Sequence, residues 1–213
     1  MTLFLLIRHG ESQANREKFF AGQLDVPLEP LGHQQAQCTA EFIAEKYAPD
    51  MVYASDLQRA HDTGNAVGQR LNIPVYTDCR LREIFAGRWQ GLAFDQIIKQ
   101  YSHDYGIWMQ DIGHCTCTDG ESTAQLGERV LQALTELAEK NPGKTIVIAT
   151  HATPIRVLRA LLQFGGLAAM KDIPWVSNAS VTELRYEDGQ WQFGVVAQDE
   201  HLHELKTTFG ANV

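Results

Sequence analysis

Two apolar runs, each ending in a histidine, constrain this chain more than anything else in it. Leu3-Phe4-Leu5-Leu6-Ile7 stops at Arg8-His9-Gly10, and Thr145-Ile146-Val147-Ile148-Ala149-Thr150 stops at His151-Ala152. A short unbroken apolar run bounded by polar residues reads as a strand buried on both faces. Strands of that kind belong to parallel sheets covered by helices on each side. The segments between the two runs alternate accordingly. A helix is expected over about Leu31 to Tyr47, with Ala36, Ala40, Phe42, Ile43 and Tyr47 as its buried stripe. Met51 to Ala54 reads as a strand. Ser55-Asp56 reads as an N-cap pair opening a helix to about Leu71. Val75 to Thr77 is a third short strand, and Glu121 to Lys140 a long helix. Pro154 to Gln163 reads as another helix. Val181 to Tyr186 and Trp191 to Ala197 form a hairpin about Asp188-Gly189. Glu11 to Pro30 reads as a polar loop, and His201 and His203, amid Asp199, Glu200 and Glu204, as a solvated tail. The alternation gives an α/β fold with a largely parallel sheet. Gly87 to Gly120, rich in aromatics, stands apart as a mostly helical, lid-like insertion. With 213 residues, 44% of them hydrophobic, one domain over 1–213 carrying that insertion fits better than two.

In an open parallel sheet, ligands bind beyond the carboxyl ends of the strands. His9 and His151 then share one edge. Arg59 sits one turn into the helix after the second strand, and Arg82-Glu83 lies in the loop fed by the third. Separate strand ends thus deliver two arginines, two histidines and a glutamate to one crevice. That set suits a dianion. Arg8 and Arg59 can grip phosphate oxygens through forked, charge-assisted hydrogen bonds. A neutral imidazole can attack phosphorus if its other ring nitrogen donates elsewhere, to a backbone carbonyl for example. A second, protonated imidazole can stabilise charge on the phosphoryl oxygens. A glutamate can pass a proton to the leaving alkoxide and take one from water.

Composition narrows the partners. A formal net charge of −8 without a Lys/Arg run argues against nucleic acid. No stretch approaches the ~20 apolar residues that span a bilayer. The apolar run that starts at Leu3 has no basic region before it and leads straight into polar residues, so no secretory leader is expected. A cytoplasmic setting with reduced thiols is the expectation for Cys38, Cys79, Cys115 and Cys117. His114 with Cys115-x-Cys117 is the one imaginable metal cluster, at a spacing unlike a zinc knuckle. No metal and no cofactor are expected. No Cys-x5-Arg, Gly-x4-Gly-Lys-Ser/Thr or Gly-x-Ser-x-Gly pattern occurs.

Leu6-Ile7-Arg8-His9-Gly10-Glu11-Ser12, with Asn15, resembles the signature of the histidine phosphatase superfamily, in its phosphoglycerate-mutase-like branch. Asp25-Val26-Pro27-Leu28 with Leu31-Gly32 is similar to that family's D-x-P-L-T-x-x-G loop, with Glu29 where Thr is usual. Ser55 to Ala60 with Thr63 resembles S-x-L-x-R-A-x-x-T, and Leu81 to Leu92 resembles L-R-E-x-x-x-G-x-W-x-G-L. Gly120-Glu121-Ser122 is similar to its G-E-S turn, and Thr150-His151 with Ile155-Arg156 to [ST]-H-x-x-x-I-R, with Ala152 for the commoner Gly. The resemblance implies a three-layer α/β/α sandwich of about six strands, one antiparallel. It implies His9 as the phosphorylated nucleophile, Arg8, Arg59 and His151 as phosphoryl-binding groups and Glu83 as the proton donor. Asn15 and the Ala21-Gly22 backbone would contact phosphate or substrate.

A small phosphorylated metabolite is the expected partner. Phe85 and Trp89 stand where cofactor-dependent mutases usually carry groups that grip a second phosphate, so phosphatase is favoured over mutase. α-Ribazole and broad-specificity phosphatases look most similar. A binding module without chemistry is the third reading. A homodimer through a hairpin edge or helix face stays open.

Overall fold

The structure is a computed structural model that describes residues 1–207. Strand β1 (Thr2–Arg8) leads into a short helix, α1 (Gln13–Glu17), and then α2 (Pro30–Lys46). Strand β2 (Met51–Ala54), α3 (Gln58–Leu71) and β3 (Val75–Thr77) follow. The insertion carries α4 (Phe94–Gln100) and α5 (Ser102–Asp111). After it come α6 (Thr123–Lys140), β4 (Thr145–Thr150), α7 (Ala152–Leu162) and the hairpin β5 (Val181–Glu187) and β6 (Gln190–Phe193).

The six strands form one sheet in the order β3-β2-β4-β1-β5-β6. Pairings among β1 to β4 are parallel, and β5 runs against both of its neighbours. That is the mostly parallel sheet with one antiparallel strand. The β5–β6 turn places Asp188 and Gly189 at positive φ, 50° and 78°, as a tight two-residue hairpin turn needs.

Side chains of a strand alternate between faces, and β1 shows why the sheet needs two helical layers. Phe4 and Leu6 enter one apolar core with Leu126, Leu134 and Ile155, from α6 and α7. Leu5 and Ile7 enter a second core with Ala40, Ile43 and Val67, from α2 and α3. All four β1 residues are fully buried. The layers are therefore α/β/α.

Several local expectations need correction. The Glu11–Pro30 segment contains α1, opened by Ser12, whose hydroxyl donates to the Asn15 carbonyl oxygen Oδ1 at 3.0 Å. A helix of 5 residues carries no periodic signal to detect. Ser55-Asp56 does not cap α3, whose first flanking residue is Leu57. The Ser55 hydroxyl instead accepts from the Leu57 N–H at 3.3 Å, and Asp56 takes the Arg82 guanidinium at 2.7 Å. Strand β6 ends at Phe193 rather than Ala197. The segment at His201 is not a solvated tail: its ring stacks on Phe42 at 4.5 Å and bonds the Thr39 hydroxyl at 2.9 Å.

Candidate active site

Parallel register puts the two histidines side by side. Arg8 pairs with Thr150 at the last rung of the β1–β4 ladder, so His9 and His151 are the next residue of each strand. The His9 N–H donates to the Thr150 carbonyl at 2.9 Å. The Asn178 amide, from the approach to β5, donates to the His9 carbonyl at 2.9 Å. The His9 backbone is thus held from both neighbouring strands. Gly10 turns the chain away, its N–H given to the Thr63 hydroxyl at 3.1 Å. A Cβ at Gly10 would stand 2.4 Å from the Gly32 carbonyl oxygen, so no larger residue fits there without backbone movement.

The His9 ring places Nδ1 2.7 Å from the Gly10 carbonyl oxygen. A carbonyl only accepts, so Nδ1 carries the hydrogen and the neutral ring presents a bare Nε2. The His151 ring meets it edge-on, centroids 5.1 Å apart. His151 Nε2 bonds the Ser55 hydroxyl at 2.9 Å, and its Nδ1 has no partner among the described residues.

Arg8 gives Nη1 to the Val176 carbonyl at 2.6 Å. Arg59 gives Nη1 to the Leu24 carbonyl and Nη2 to the Gly22 carbonyl, at 2.8 and 2.7 Å, drawing the Ala21–Leu24 backbone onto the site. Glu83 accepts from the Ile84 N–H at 2.7 Å and from the Thr153 N–H, at the start of α7, at 3.3 Å. Its loop is pinned by Arg129 of α6, which donates to the carbonyls of Arg80, Arg82 and Glu83 at 2.7 to 2.8 Å and pairs with Glu121 at 2.7 Å. Asn15 Oδ1 accepts from Ser12 and from the Asn178 amide, which leaves its own amide hydrogens available to the cleft.

Arg8, His9, Asn15, Ala21, Gly22, Arg59 and Glu83 line one cleft. His151, fully buried, stands against His9. The residues expected to handle phosphate and substrate are therefore in one place. Burial, reinforced by Arg59 and Arg8, pushes His9 well below the usual histidine value of 6.5. His151 is lowered in the same way, first by burial and then by Arg59 and His9. Burial also brings the Arg8 and Arg59 guanidinium groups down to about 10, opposed by the charge of Glu83. Both arginines stay charged at neutral pH and both imidazoles are neutral. A protonated His151 is thus not the resting form; a bound dianion would have to supply the counter-charge.

The sequence model of the histidine phosphatase superfamily (branch 1) matches residues 4–199. The chain belongs to the histidine phosphatase superfamily. It is 33% identical over 214 residues to phosphoglycerate mutase-like protein 4 of Arabidopsis thaliana, spanning 98% of this chain and 91% of that one. It is 31% identical over 198 residues to glucosyl-3-phosphoglycerate phosphatase of Mycobacterium tuberculosis, spanning 89% and 86%. The solved structure of Bacillus stearothermophilus YhfR superposes with a TM-score of 0.90 at 28% identity, over 95% of this chain and all of that one.

This member of the superfamily carries further site residues that sequence reasoning left without a role. Asn178 and Arg129 hold His9 and the Glu83 loop from 169 and 46 residues away. Ser55, expected as a helix cap, is the partner of His151. Arg156 lies buried beside the cleft, its guanidinium 3.8 Å above the Trp175 ring and bonded to the Met170 and Ile173 carbonyls. Repeated side-chain-to-backbone bonds between distant segments leave no pattern in a linear sequence. Cys115 and Cys117 are buried thiols and the His114 ring faces Asp111 at 2.9 Å. No group of three or more His, Cys, Asp or Glu side chains suited to a metal ion occurs among the described residues, and no helix there is long and apolar enough to cross a membrane.

Proposed function

We propose that the chain is a phosphomonoesterase acting on a small phosphorylated metabolite through a phosphohistidine on His9. The observation that carries this reading is the His9 ring itself: neutral, tied at Nδ1 to the Gly10 carbonyl, with Nε2 bare beside two charged arginines. Arg8 and Arg59 hold the phosphoryl oxygens, helped by His151, Asn15 and the backbone at Ala21 and Gly22. In the first step Nε2 attacks phosphorus, the ester P–O bond breaks, and the leaving alkoxide takes a proton from the Glu83 carboxyl group. In the second step water attacks the phosphohistidine and gives its proton to the Glu83 carboxylate. The P–N bond breaks and inorganic phosphate leaves, restoring the enzyme.

The named relatives support the phosphatase side of the family's chemistry, since glucosyl-3-phosphoglycerate phosphatase spans most of this chain. The mutase-like name of the Arabidopsis relative keeps a second reading in view, in which a substrate hydroxyl replaces water. The test is release of p-nitrophenol from its phosphate ester by wild type and His9→Ala, with acid-labile labelling of His9. The expected result is a loss of orders of magnitude and a trapped label in wild type alone; equal rates overturn the assignment. Incubation with 3-phosphoglycerate and bisphosphoglycerate decides the second reading: isomerisation faster than phosphate release would favour the mutase.

A further inference from the structure

The cleft that contains His9 is walled by Phe19, Phe20, Phe94, Tyr105, Trp108 and Trp175. Phe94, Phe20, Trp108 and Trp175 form an unbroken run of rings, successive centroids 6.2, 5.3 and 6.5 Å apart. The run is fixed from behind. Trp89, fully buried, meets Phe20, Tyr105 and Trp108 edge-on at 5.5 to 5.9 Å. Arg156 clamps Trp175, its guanidinium stacked 3.8 Å from the ring centroid and held by two backbone carbonyls. The wall is an apolar surface whose rings are held in place by their neighbours.

Charge in the cleft is confined to the phosphate-handling groups. Among the described residues, the ionisable side chains that line it, apart from the Tyr105 phenol, are Arg8, His9, Arg59 and Glu83. A carboxylate or second phosphate on the substrate would be pressed against aromatic rings with no cation of its own, and an unpaired buried charge is strongly disfavoured. An apolar or aromatic group there would instead stack on rings already in place.

We infer that the alcohol half of the substrate is uncharged and bears an aromatic or extended apolar group that lies on the Phe94–Phe20–Trp108–Trp175 wall, so that phosphorylated hydroxy acids and bisphosphates are poor substrates. The inference rests on the phosphomonoesterase reading above. The experiment compares alkyl esters whose leaving alcohols are of similar acidity, which keeps chemistry and recognition apart: 2-phenylethyl phosphate, ethyl phosphate and 3-phosphoglycerate, by kcat/KM for phosphate release. One methylene in an apolar pocket is worth about 10- to 200-fold, so 2-phenylethyl phosphate, with a whole ring more, should exceed each of the others by about tenfold or more. In Phe94→Ala and, independently, in Trp108→Ala, its advantage over ethyl phosphate should shrink to about threefold or less. That ratio does not depend on the folded fraction of a variant. Equal efficiency with all three esters, or preference for 3-phosphoglycerate, overturns the substrate class and leaves the hydrolase reading standing. Phosphate release from none of them overturns both.

Discussion

His9 Nδ1 lies 2.7 Å from the carbonyl oxygen of Gly10, its own neighbour in sequence, and this contact decides which nitrogen of the ring is left bare. The bond is made within two residues, yet it depends on the turn at Gly10. That turn exists because Gly10 rests against the Gly32 backbone and donates to Thr63. Orientation of the His9 ring is therefore a property of where β1, α2 and α3 meet.

The first prediction is a pH profile. Burial and the two arginines hold His9 well below 6.5, so the nucleophile of the free enzyme is already unprotonated at and above that pH. The acidic limb of kcat/KM, which reports free-enzyme ionisations, should lie clearly below pH 6.5 once the titration of the substrate phosphate has been subtracted. A limb centred at or above 6.5 would show that His9 is not held neutral by its surroundings. The measurement is steady-state kinetics from pH 4 to 8 with a substrate of known phosphate ionisation.

The same burial makes stability depend on pH. His9 and His151 both have folded-state values depressed below 6.5, so the unfolded chain binds more protons as the pH drops. The stability that comes from keeping them neutral is complete above pH 6.5 and is lost as the pH falls from there toward their folded values. Each group can contribute a slope of up to ~1.4 kcal/mol per pH unit. Urea midpoints at pH 7 and pH 5 should fall with acid in wild type and fall less in His9→Asn. An identical drop in the variant would sink this prediction.

Glu83 should matter in proportion to how badly the leaving group needs a proton. Glu83→Gln keeps one side-chain oxygen for the 2.7 Å bond from the Ile84 N–H, gives up the longer bond from the Thr153 N–H at 3.3 Å, and cannot transfer a proton. Loss of a positioned general acid typically costs ~10²- to 10⁴-fold. That loss is expected for ethyl phosphate in kcat/KM, which reports P–O cleavage and not the later hydrolysis of the phosphohistidine, and a much smaller one for p-nitrophenyl phosphate, whose phenolate leaves unaided. Equal losses on both esters would mean that Glu83 only shapes the site.

Arg129 lines no part of the cleft but ties three carbonyls of the Glu83 loop to α6 and pairs with Glu121. Arg129→Met should lower kcat on ethyl phosphate by about 10- to 100-fold through misplacement of Glu83. Breaking this half-buried pair and leaving its carbonyl partners without a donor should also cost about 1–3 kcal/mol of stability. Denaturant unfolding alongside kinetics checks both. Full activity in a destabilised variant would separate the clamp from catalysis.

The site's reach into the sequence is uneven. Arg8, His9, Arg59, Glu83 and His151 were legible because strand ends in a parallel sheet fall at one edge, and short apolar runs mark those ends. Ser55 was legible as polar but was assigned to the helix behind it, since its spacing to α3 looks the same whether it caps or faces His151. Asn178 gave no signal. It reaches His9 only because β5 lies antiparallel beside β1, a pairing made across the whole chain. His201 looked like part of an acidic tail until the Phe42 ring was placed beneath it.

By itself the amino-acid sequence determined which strands are buried on both faces and that they end in histidine and arginine. It also determined the family, since residues 4–199 carry its motifs. Only the tertiary structure decided which imidazole nitrogen is bare, that both histidines rest neutral, and that an aromatic wall adjoins the phosphate cradle. The reason is physical. Residue type sets which interactions a group can make, whereas hydrogen-bond partners, desolvation and ring contacts depend on what the rest of the chain brings within a few ångströms.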